Sequence, residues 1–219
     1  MANHASLGWA LASAAVLASP AVGSMVLVEI AGSVEFNQVT GPPIGSLTPG
    51  TSVVMSFLVD SDVYLNSPTY PTRGYVIDQA SFAIVGGGVS IGLQSPFPAG
   101  EVPYFVLRNN DPAVDGFFIS RNVDWPIGVP LPQNGPFGAF VQDFSVGYEG
   151  TVLDSLDILD AVGNYGYGGL TNFNWTFNNG PYNPVGLIFE SMTITAVPAP
   201  AAMLVFIAGG CGRSRRRRR

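Results

Sequence analysis

Apolar and polar residues alternate along much of the chain between residues 26 and 196, as in β-strands that bury one face. The clearest run is 171–178, where Phe173, Trp175 and Phe177 alternate with asparagine and threonine. The longer β-branched run 53–60 predicts a central strand. Strands are predicted at 26–31, 34–36, 53–60, 80–85, 89–94, 104–108, 116–121, 137–148, 171–178 and 185–196.

Two stretches rich in proline, 64–75 and 125–136, predict surface loops between these strands. Only residues 153–162 show a helical period, which predicts one short helix that ends at Gly163. Its two sides separate the apolar residues Leu156, Ile158, Leu159 and Val162 from the aspartates Asp154, Asp157 and Asp160. The pattern as a whole therefore predicts an all-β domain with a single helix.

Composition supports one β-rich domain. Of the 219 residues 47% are hydrophobic and only 11% are charged, while glycine and proline together number 45. Many turns between short strands fit this mixture, and disorder does not. With both ends set aside, residues 25–196 are long enough for one substantial core.

The first 24 residues have the form of a secretory signal peptide. An apolar, alanine-rich stretch at 7–18 is followed by small residues at 19–24, as a signal peptidase requires. The segment before it contains no lysine or arginine, and His4 is its only basic side chain. The alternative is a buried N-terminal helix.

The last 23 residues, 197–219, form a second unusual segment. The prolines at 198 and 200 cannot continue a strand, and an apolar run at 201–210 follows them. Basic residues then end the chain, and cations of this kind stay on the cytoplasmic side of a membrane. The residues that carry this predicted sorting signal are Val197, Pro198, Pro200, Gly209, Gly210, Arg213, Arg215, Arg216, Arg217, Arg218 and Arg219.

This order of parts resembles the PEP-CTERM sorting signal of exported bacterial proteins. Ala199 stands where that family has a glutamate between the prolines. The run 201–212 would span about 18 Å as a helix, against ~30 Å for the hydrocarbon core of a bilayer. The alternative is a dispensable basic tail. Cys211, within this segment, is either a lipidation or processing site or a small apolar residue.

The resemblance implies a partner, a route and a fold. The partner would be an exosortase-type membrane enzyme that cleaves near the two prolines. The route would lead from the inner membrane, where the apolar tail helix holds the chain transiently, to the cell surface or the extracellular space. A looser similarity of residues 36–195 to other cargo domains of such tails implies a single β-sandwich, jelly-roll-like, for residues 25–196.

Charge and missing residue types exclude several functions. Between residues 25 and 196, three arginines face fifteen carboxylates, so this part of the chain carries a net charge of −12. So acidic a body would repel phosphate backbones, which makes nucleic acid a poor partner. The only histidine is His4 and the only cysteine is Cys211, so the domain cannot form a His-based triad, a Cys/His zinc site or an internal disulfide.

Two loops carry oxygen ligands of the kind that calcium accepts. One contains Asp60, Asp62 and Asn66; the other contains Asn109, Asn110, Asp111 and Asp115. Neither follows the EF-hand spacing, and Asp and Asn also stabilise turns through their own backbone. These residues are therefore the metal candidates, with turn formation as the alternative, and the chain is otherwise expected to need no cofactor.

Aromatic residues and aspartates raise the possibility of sugar binding or cleavage. Phe173, Trp175 and Phe177 form either a stacking platform for sugars or part of the core. Better candidates for a surface patch are Tyr165, Tyr167 and Tyr182. The three aspartates of the predicted helix form either a glycosidase carboxylate pair or a solvated face.

The hypothesis that follows is an exported, non-enzymatic protein with a structural or adhesive role at the cell surface or in an extracellular polysaccharide matrix. The first alternative is a carbohydrate-binding module, with or without calcium. The second is a glycoside hydrolase that uses aspartates alone. No catalytic residue is assigned.

Overall fold

A computed structural model of the chain describes residues 24–111 and 114–198. The predicted signal helix and the predicted apolar tail helix lie outside these residues, as do Pro200, Gly209, Gly210, Cys211 and the arginines of the tail. The described part is all-β, with one short 3-10 turn at Ile44–Ser46. Its strands are β1 (Met25–Asn37), β2 (Ser52–Asn66), β3 (Thr72–Ile77), β4 (Ala83–Gly86), β5 (Val89–Ile91), β6 (Tyr104–Arg108), β7 (Val114–Ser120), β8 (Val129–Gly135), β9 (Gly138–Glu149), β10 (Gly163–Tyr165), β11 (Leu170–Asn179) and β12 (Tyr182–Val197).

Eight of these strands form a closed β-barrel, so the expectation of a jelly-roll-like β-sandwich is wrong. The hydrogen-bonded order is β1-β12-β11-β9-β7-β6-β3-β2, and β2 pairs again with β1. The β1–β2 ladder runs from Met25 opposite Asp60 to Ser33 opposite Ser52. In a sandwich two separate sheets would pack face to face. Closure instead gives each of the eight ring strands a hydrogen-bonded neighbour on both sides.

The barrel interior is filled by side chains from alternate positions of every ring strand. Val26, Val28 and Ile30 of β1 are fully buried there, as are the rings of Phe57, Phe105, Phe117, Phe144 and Trp175. Gly32 makes room for the largest of these, because a Cβ on Gly32 would lie 2.6 Å from the Trp175 ring. The interior is therefore a packed core, and function must be sought on the surface and at the two ends.

Strand β8 occupies part of the predicted loop 125–136, so that prediction is wrong for Val129–Gly135. β8 pairs only with β9, which makes it an edge strand outside the ring. Proline is tolerated at an edge because one side of the strand needs no hydrogen-bond donors. Pro130 and Pro132 therefore hid a strand from sequence analysis.

The predicted loop 64–75 is also shorter than expected. β2 continues to Asn66 and β3 begins at Thr72, with Tyr64 opposite Tyr75 in their ladder. Proline in the connecting turn limits both strands but does not prevent their pairing.

The predicted helix at 153–162 is absent, and these residues instead form a series of turns. Side chains take the backbone N–H groups: Ser155 Oγ accepts from Asp157 N at 2.8 Å, and Asp157 Oδ1 accepts from Leu159 N at 2.9 Å. Asp and Ser compete in this way with helical hydrogen bonding. Leu153, Ile158 and Ala161 are buried against the core, so this segment closes one end of the barrel.

Strand pairing assigns every connection to one of the two ends. Met25 pairs with Val197, so the first and last strand residues of the barrel lie at the same end of it. Val114 pairs with Glu149 at that end, which residues 150–162 close. We call this the cap end. Asn37 pairs with Val185, and Asn179 pairs with Tyr182, at the opposite end, which we call the groove end.

Among residues 24–111 and 114–198, no helix is long and apolar enough to cross a membrane. The predicted short span at 201–212 lies outside these residues.

Candidate functional site: an aromatic groove at one end of the barrel

An open groove of about 530 Å³ lies at the groove end. Three parts of the chain form it: the connection after β1, the β8–β9 hairpin with the start of β9, and the turn between β11 and β12. Its size falls within the ~300–1,000 Å³ that is usual for ligand sites. The lining residues are Gln38, Val39, Thr40, Gly41, Gln133, Asn134, Gly135, Pro136, Phe137, Phe140, Asn179, Tyr182 and Pro184.

Two aromatic rings dominate the surface of this groove. Phe137 is 58% exposed and Tyr182 is 62% exposed, the highest values among the large apolar side chains of the described residues. Their ring centroids lie 5.7 Å apart, and their planes are inclined at 43°. Exposed rings of this size leave apolar surface in contact with water unless a ligand covers them. The pair is therefore the feature of the groove that points most clearly to a binding site.

Gly180 holds Phe137 in place. It adopts a φ of +62° in the turn after β11, and a Cβ there would lie 2.8 Å from the Cβ and Cγ atoms of Phe137. Glycine satisfies both requirements, because it has no side chain and accepts a positive φ. The turn thus packs directly under one ring of the groove.

Asn179 joins the β8–β9 hairpin to the end of β11. This side chain is almost fully buried; its Oδ1 accepts from the backbone N–H of Phe137 at 3.2 Å, and its Nδ2 donates to the Gly138 carbonyl at 3.0 Å. A Cβ on Gly135 would lie 2.6 Å from Asn179 Oδ1, so only glycine leaves room for this side chain. The hairpin that carries Phe137 is therefore fixed before any ligand arrives.

Gln133 fixes the other wall in the same way. Its Oε1 accepts from Ile44 N and its Nε2 donates to Gly41 O, each at 3.0 Å. Asn37 adds bonds from its Nδ2 to the carbonyls of Ile44 at 2.8 Å and Leu47 at 2.7 Å. Both walls thus consist of backbone held by side-chain amides, of which Asn179 is buried and Gln133 and Asn37 are half-buried, which gives a preformed site.

The chemistry of the lining is polar but uncharged. Exposed amides and hydroxyls come from Gln38, Thr40, Asn134 and Tyr182. The lining residues include no Asp, Glu, Lys or Arg. Amides and hydroxyls can both donate and accept hydrogen bonds, and aromatic faces accept apolar C–H surfaces. Such a groove can bind a ligand by stacking and by hydrogen bonds.

The metal candidates take structural positions. Asp115 is fully buried; its Oδ1 accepts from Asn110 N at 2.8 Å, and its Oδ2 accepts from Val152 N and Leu153 N at 2.6 and 2.7 Å. Asp60 Oδ1 accepts from Asp62 N at 2.9 Å, and Asp111 lies 3.6 Å from the Arg108 guanidinium. Among the described residues no group of three or more His, Cys, Asp or Glu is placed to hold a metal ion.

Four other carboxylates, three from the predicted helix and one from β9, lie away from the groove. Asp154, Asp157 and Asp160 are exposed in the turns of the cap end, where Asp160 Oδ2 accepts from Ser155 Oγ. Asp143 of β9 lies between the inward-facing Gln142 and Phe144, so it belongs to the outer face of the barrel. Burial raises the pKa of the Asp143 carboxyl, while a hydrogen bond from Asn174 opposes that effect. Asp143 does not line the groove.

The aromatic candidates are divided among three places. Trp175 and Phe177 lie in the core, whereas Phe173 is 41% exposed. Tyr165 and Tyr167 lie near the cap end, where their hydroxyls donate to the carbonyls of Ala161 and Phe189. Only Tyr182 reaches the groove.

Sequence analysis missed Phe137, the partner of Tyr182. Phe137 follows Asn134, Gly135 and Pro136, which indicate a tight turn. A large aromatic residue at the tip of such a turn is the signal that could have identified it.

Of the predicted sorting residues, only Val197 and Pro198 belong to the described part of the chain. Val197 ends β12 opposite Met25, and Pro198 follows it as an exposed residue outside any strand.

Comparison of the chain with models of protein families, with curated proteins and with solved structures finds no match.

Proposed function

We propose that this protein is an exported, non-enzymatic protein of the cell surface or extracellular matrix, and that its barrel binds polysaccharide in the aromatic groove. The observation that carries the proposal is the exposed pair Phe137 and Tyr182, bordered by uncharged amides and hydroxyls in a preformed groove. Sugar rings present apolar C–H faces and hydroxyl edges. A binding site for them therefore combines aromatic faces with neutral groups that donate and accept hydrogen bonds.

The placement of the groove supports an adhesive role. The described barrel begins and ends at the cap end, where Met25 pairs with Val197. The groove lies at the opposite end, where Asn179 pairs with Tyr182. If the tail after residue 197 holds the chain at a membrane during sorting, the groove faces away from that surface.

Polysaccharide binding is tested by electrophoresis of the purified protein through gels that contain soluble polysaccharides. Binding retards migration, and we expect Phe137→Ala and Tyr182→Ala each to weaken it about tenfold, because each removes one stacking face. Trp125→Ala is the matched control, since Trp125 is a half-exposed aromatic residue outside the groove lining. Equal retardation of all four proteins, or no retardation by any polysaccharide, would contradict the proposal.

Export is tested separately, by mass spectrometry of the protein recovered from its native host. We expect a mature N-terminus near residue 25 and a C-terminus near residues 198–200. A protein that still ends at Arg219 would contradict processing of the tail by an exosortase-type enzyme.

A further inference from the structure

We infer that the aromatic groove selects a neutral glycan chain whose successive sugars turn relative to one another, and that it disfavours both anionic polysaccharides and flat glycan ribbons. This inference rests on the proposed function and names the class of ligand for the same site. It depends on two observations: the charge of the lining and the angle between the two rings.

The charge argument begins with the lining residues. None of the thirteen is an Asp, Glu, His, Cys, Lys or Arg. A uronate, sulfate or phosphate group bound there would lose water without gaining a cation as its partner, which opposes binding of the charged form. The groove therefore has nothing to offer a charged sugar.

The rest of the domain acts in the same direction. Three arginines face fifteen carboxylates between residues 25 and 196. Two of the three arginines lie beside acidic partners: Arg121 donates to both carboxylate oxygens of Glu101 at 3.1 and 2.9 Å, and Arg108 lies 3.6 Å from Asp111. The surrounding field is therefore negative and repels polyanions before they reach the groove.

The ring geometry restricts the shape of the chain. The planes of Phe137 and Tyr182 are inclined at 43°, with centroids 5.7 Å apart. A flat ribbon, whose sugars share one plane, can stack on only one of these rings at a time. A glycan that turns between neighbouring sugars can place one sugar face on each ring.

Rigidity makes this angle a determinant of selectivity. The Asn179 hydrogen bonds fix the backbone of Phe137 and Gly138, and the Cβ and Cγ atoms of Phe137 pack beside Gly180, so the site presents its two rings from a backbone that is already in place. A preformed site gains affinity for ligands that match its geometry, because less ordering is needed on binding.

Three probes separate the possibilities: laminarin, a soluble neutral glucan with a helical chain; alginate, a soluble polyanion; and microcrystalline cellulose, a neutral polymer of flat chains. We expect retardation by laminarin at low and high salt, because neutral ligands have no ionic attraction to screen. Chelation of divalent ions should leave it unchanged, since no carboxylate lines the groove. Alginate in the gel, and cellulose in a sedimentation assay because it is insoluble, should each bind at least about tenfold more weakly.

The possible failures are distinguishable. If alginate or cellulose binds as tightly as laminarin and Tyr182→Ala abolishes that binding, the groove binds glycans but the inferred selectivity is wrong. Loss of laminarin binding on chelation would also overturn the inference. If no probe binds, or if binding is the same in Tyr182→Ala as in the unaltered protein, the proposed function itself fails.

Discussion

The two ends of the barrel use similar polar residues for opposite purposes. At the cap end, Asp115 and Tyr75 are buried and direct their oxygens to backbone groups of the segment that covers the core. At the groove end, Asn179 and Gln133 also bind backbone, but the covering segments stop short of the rings of Phe137 and Tyr182. One end is thus sealed, and the other is held open.

This difference shows where stability and binding can be separated. Buried hydrogen bonds at the cap end complete the core, so their loss should unfold the protein without a specific effect on the groove. The same kind of bond at the groove end positions exposed aromatic rings, so its loss should affect both properties. The following predictions test that separation, from the largest expected effect to the smallest.

Asp115→Ala should have the largest effect. It leaves the buried N–H groups of Asn110, Val152 and Leu153 without their acceptor, which should lower the free energy of unfolding by roughly 3–5 kcal/mol. Urea unfolding would measure this, with Asp111→Ala, at a half-buried ion pair, as the matched control. Glycan binding by the protein that remains folded should not change. A loss of binding at full stability would contradict the separation of the two ends.

Asn179→Ala should affect both properties. Loss of the two hydrogen bonds made by the Asn179 side chain should cost about 2 kcal/mol of unfolding free energy, and the freed hairpin should weaken glycan binding about tenfold. Asn178→Ala is the matched control, because the neighbouring side chain points to the outer face. Urea unfolding of both variants would measure the change in stability, and gel retardation would measure the change in glycan binding. A stable Asn179→Ala protein with normal binding would show that the hairpin does not need this anchor.

Alkaline pH should weaken the cap end. Burial raises the pKa of Tyr165 to about 12, and burial together with the nearby charge of Tyr165 raises the pKa of Tyr148 to about 12, from an ordinary value of 10.0. The unfolded chain therefore releases these protons first, so stability is unaffected below pH 10 and falls as the pH rises toward 12.

Urea unfolding at several alkaline pH values would measure that decline. The double variant Tyr148→Phe, Tyr165→Phe should show a shallower fall, because it lacks both groups. Tyrosinate absorbance that completes its rise near pH 10 in the folded protein would contradict this account.

Asp157→Asn should have the smallest effect. Asp157 is exposed, and an asparagine can still accept the bond from Leu159 N, so the change in stability should be within about 0.5 kcal/mol. Glycan binding should be unaltered, and neither protein should hydrolyse the bound polysaccharide. Release of reducing sugars by the unaltered protein, lost in the variant, would instead indicate an aspartate-based hydrolase.

Much of the fold was accessible to sequence analysis, because strand alternation is a local property. The predicted runs at 104–108, 137–148 and 171–178 correspond closely to β6, β9 and β11. Closure was not accessible, since it depends on β1 pairing with both β2 and β12, which lies more than 140 residues along the chain. Periodicity shows which face of a strand is buried but does not identify its neighbours.

The helix predicted at 153–162 does not form because of a tertiary contact. The Tyr75 hydroxyl donates to Leu156 O at 2.7 Å and accepts from Ile158 N at 3.0 Å, so it takes backbone groups that a helix would use within itself. Tyr75 lies some 80 residues earlier in the chain, and no pattern within 153–162 indicates this contact. Local propensity was overridden by packing.

The groove was only partly predictable. The sequence names Tyr182, with Tyr165 and Tyr167, as a candidate for a surface aromatic patch. The sequence places Phe137 at the start of a predicted strand. The pairing of the two rings depends on Asn179, at the end of β11, which passes beside Gly135 and binds the backbone of the β8–β9 hairpin. Residues from distant parts of the chain become a site only through the strand order, which the sequence pattern did not contain.

The position of Met25 beside Val197 has a consequence for many copies of this protein together. Molecules tethered to one surface by that end would all present their grooves in the same direction, and a long polymer with repeating sugars could engage several of them at once. Weak individual contacts would then combine into a strong, reversible hold through avidity, as expected of a multivalent coat.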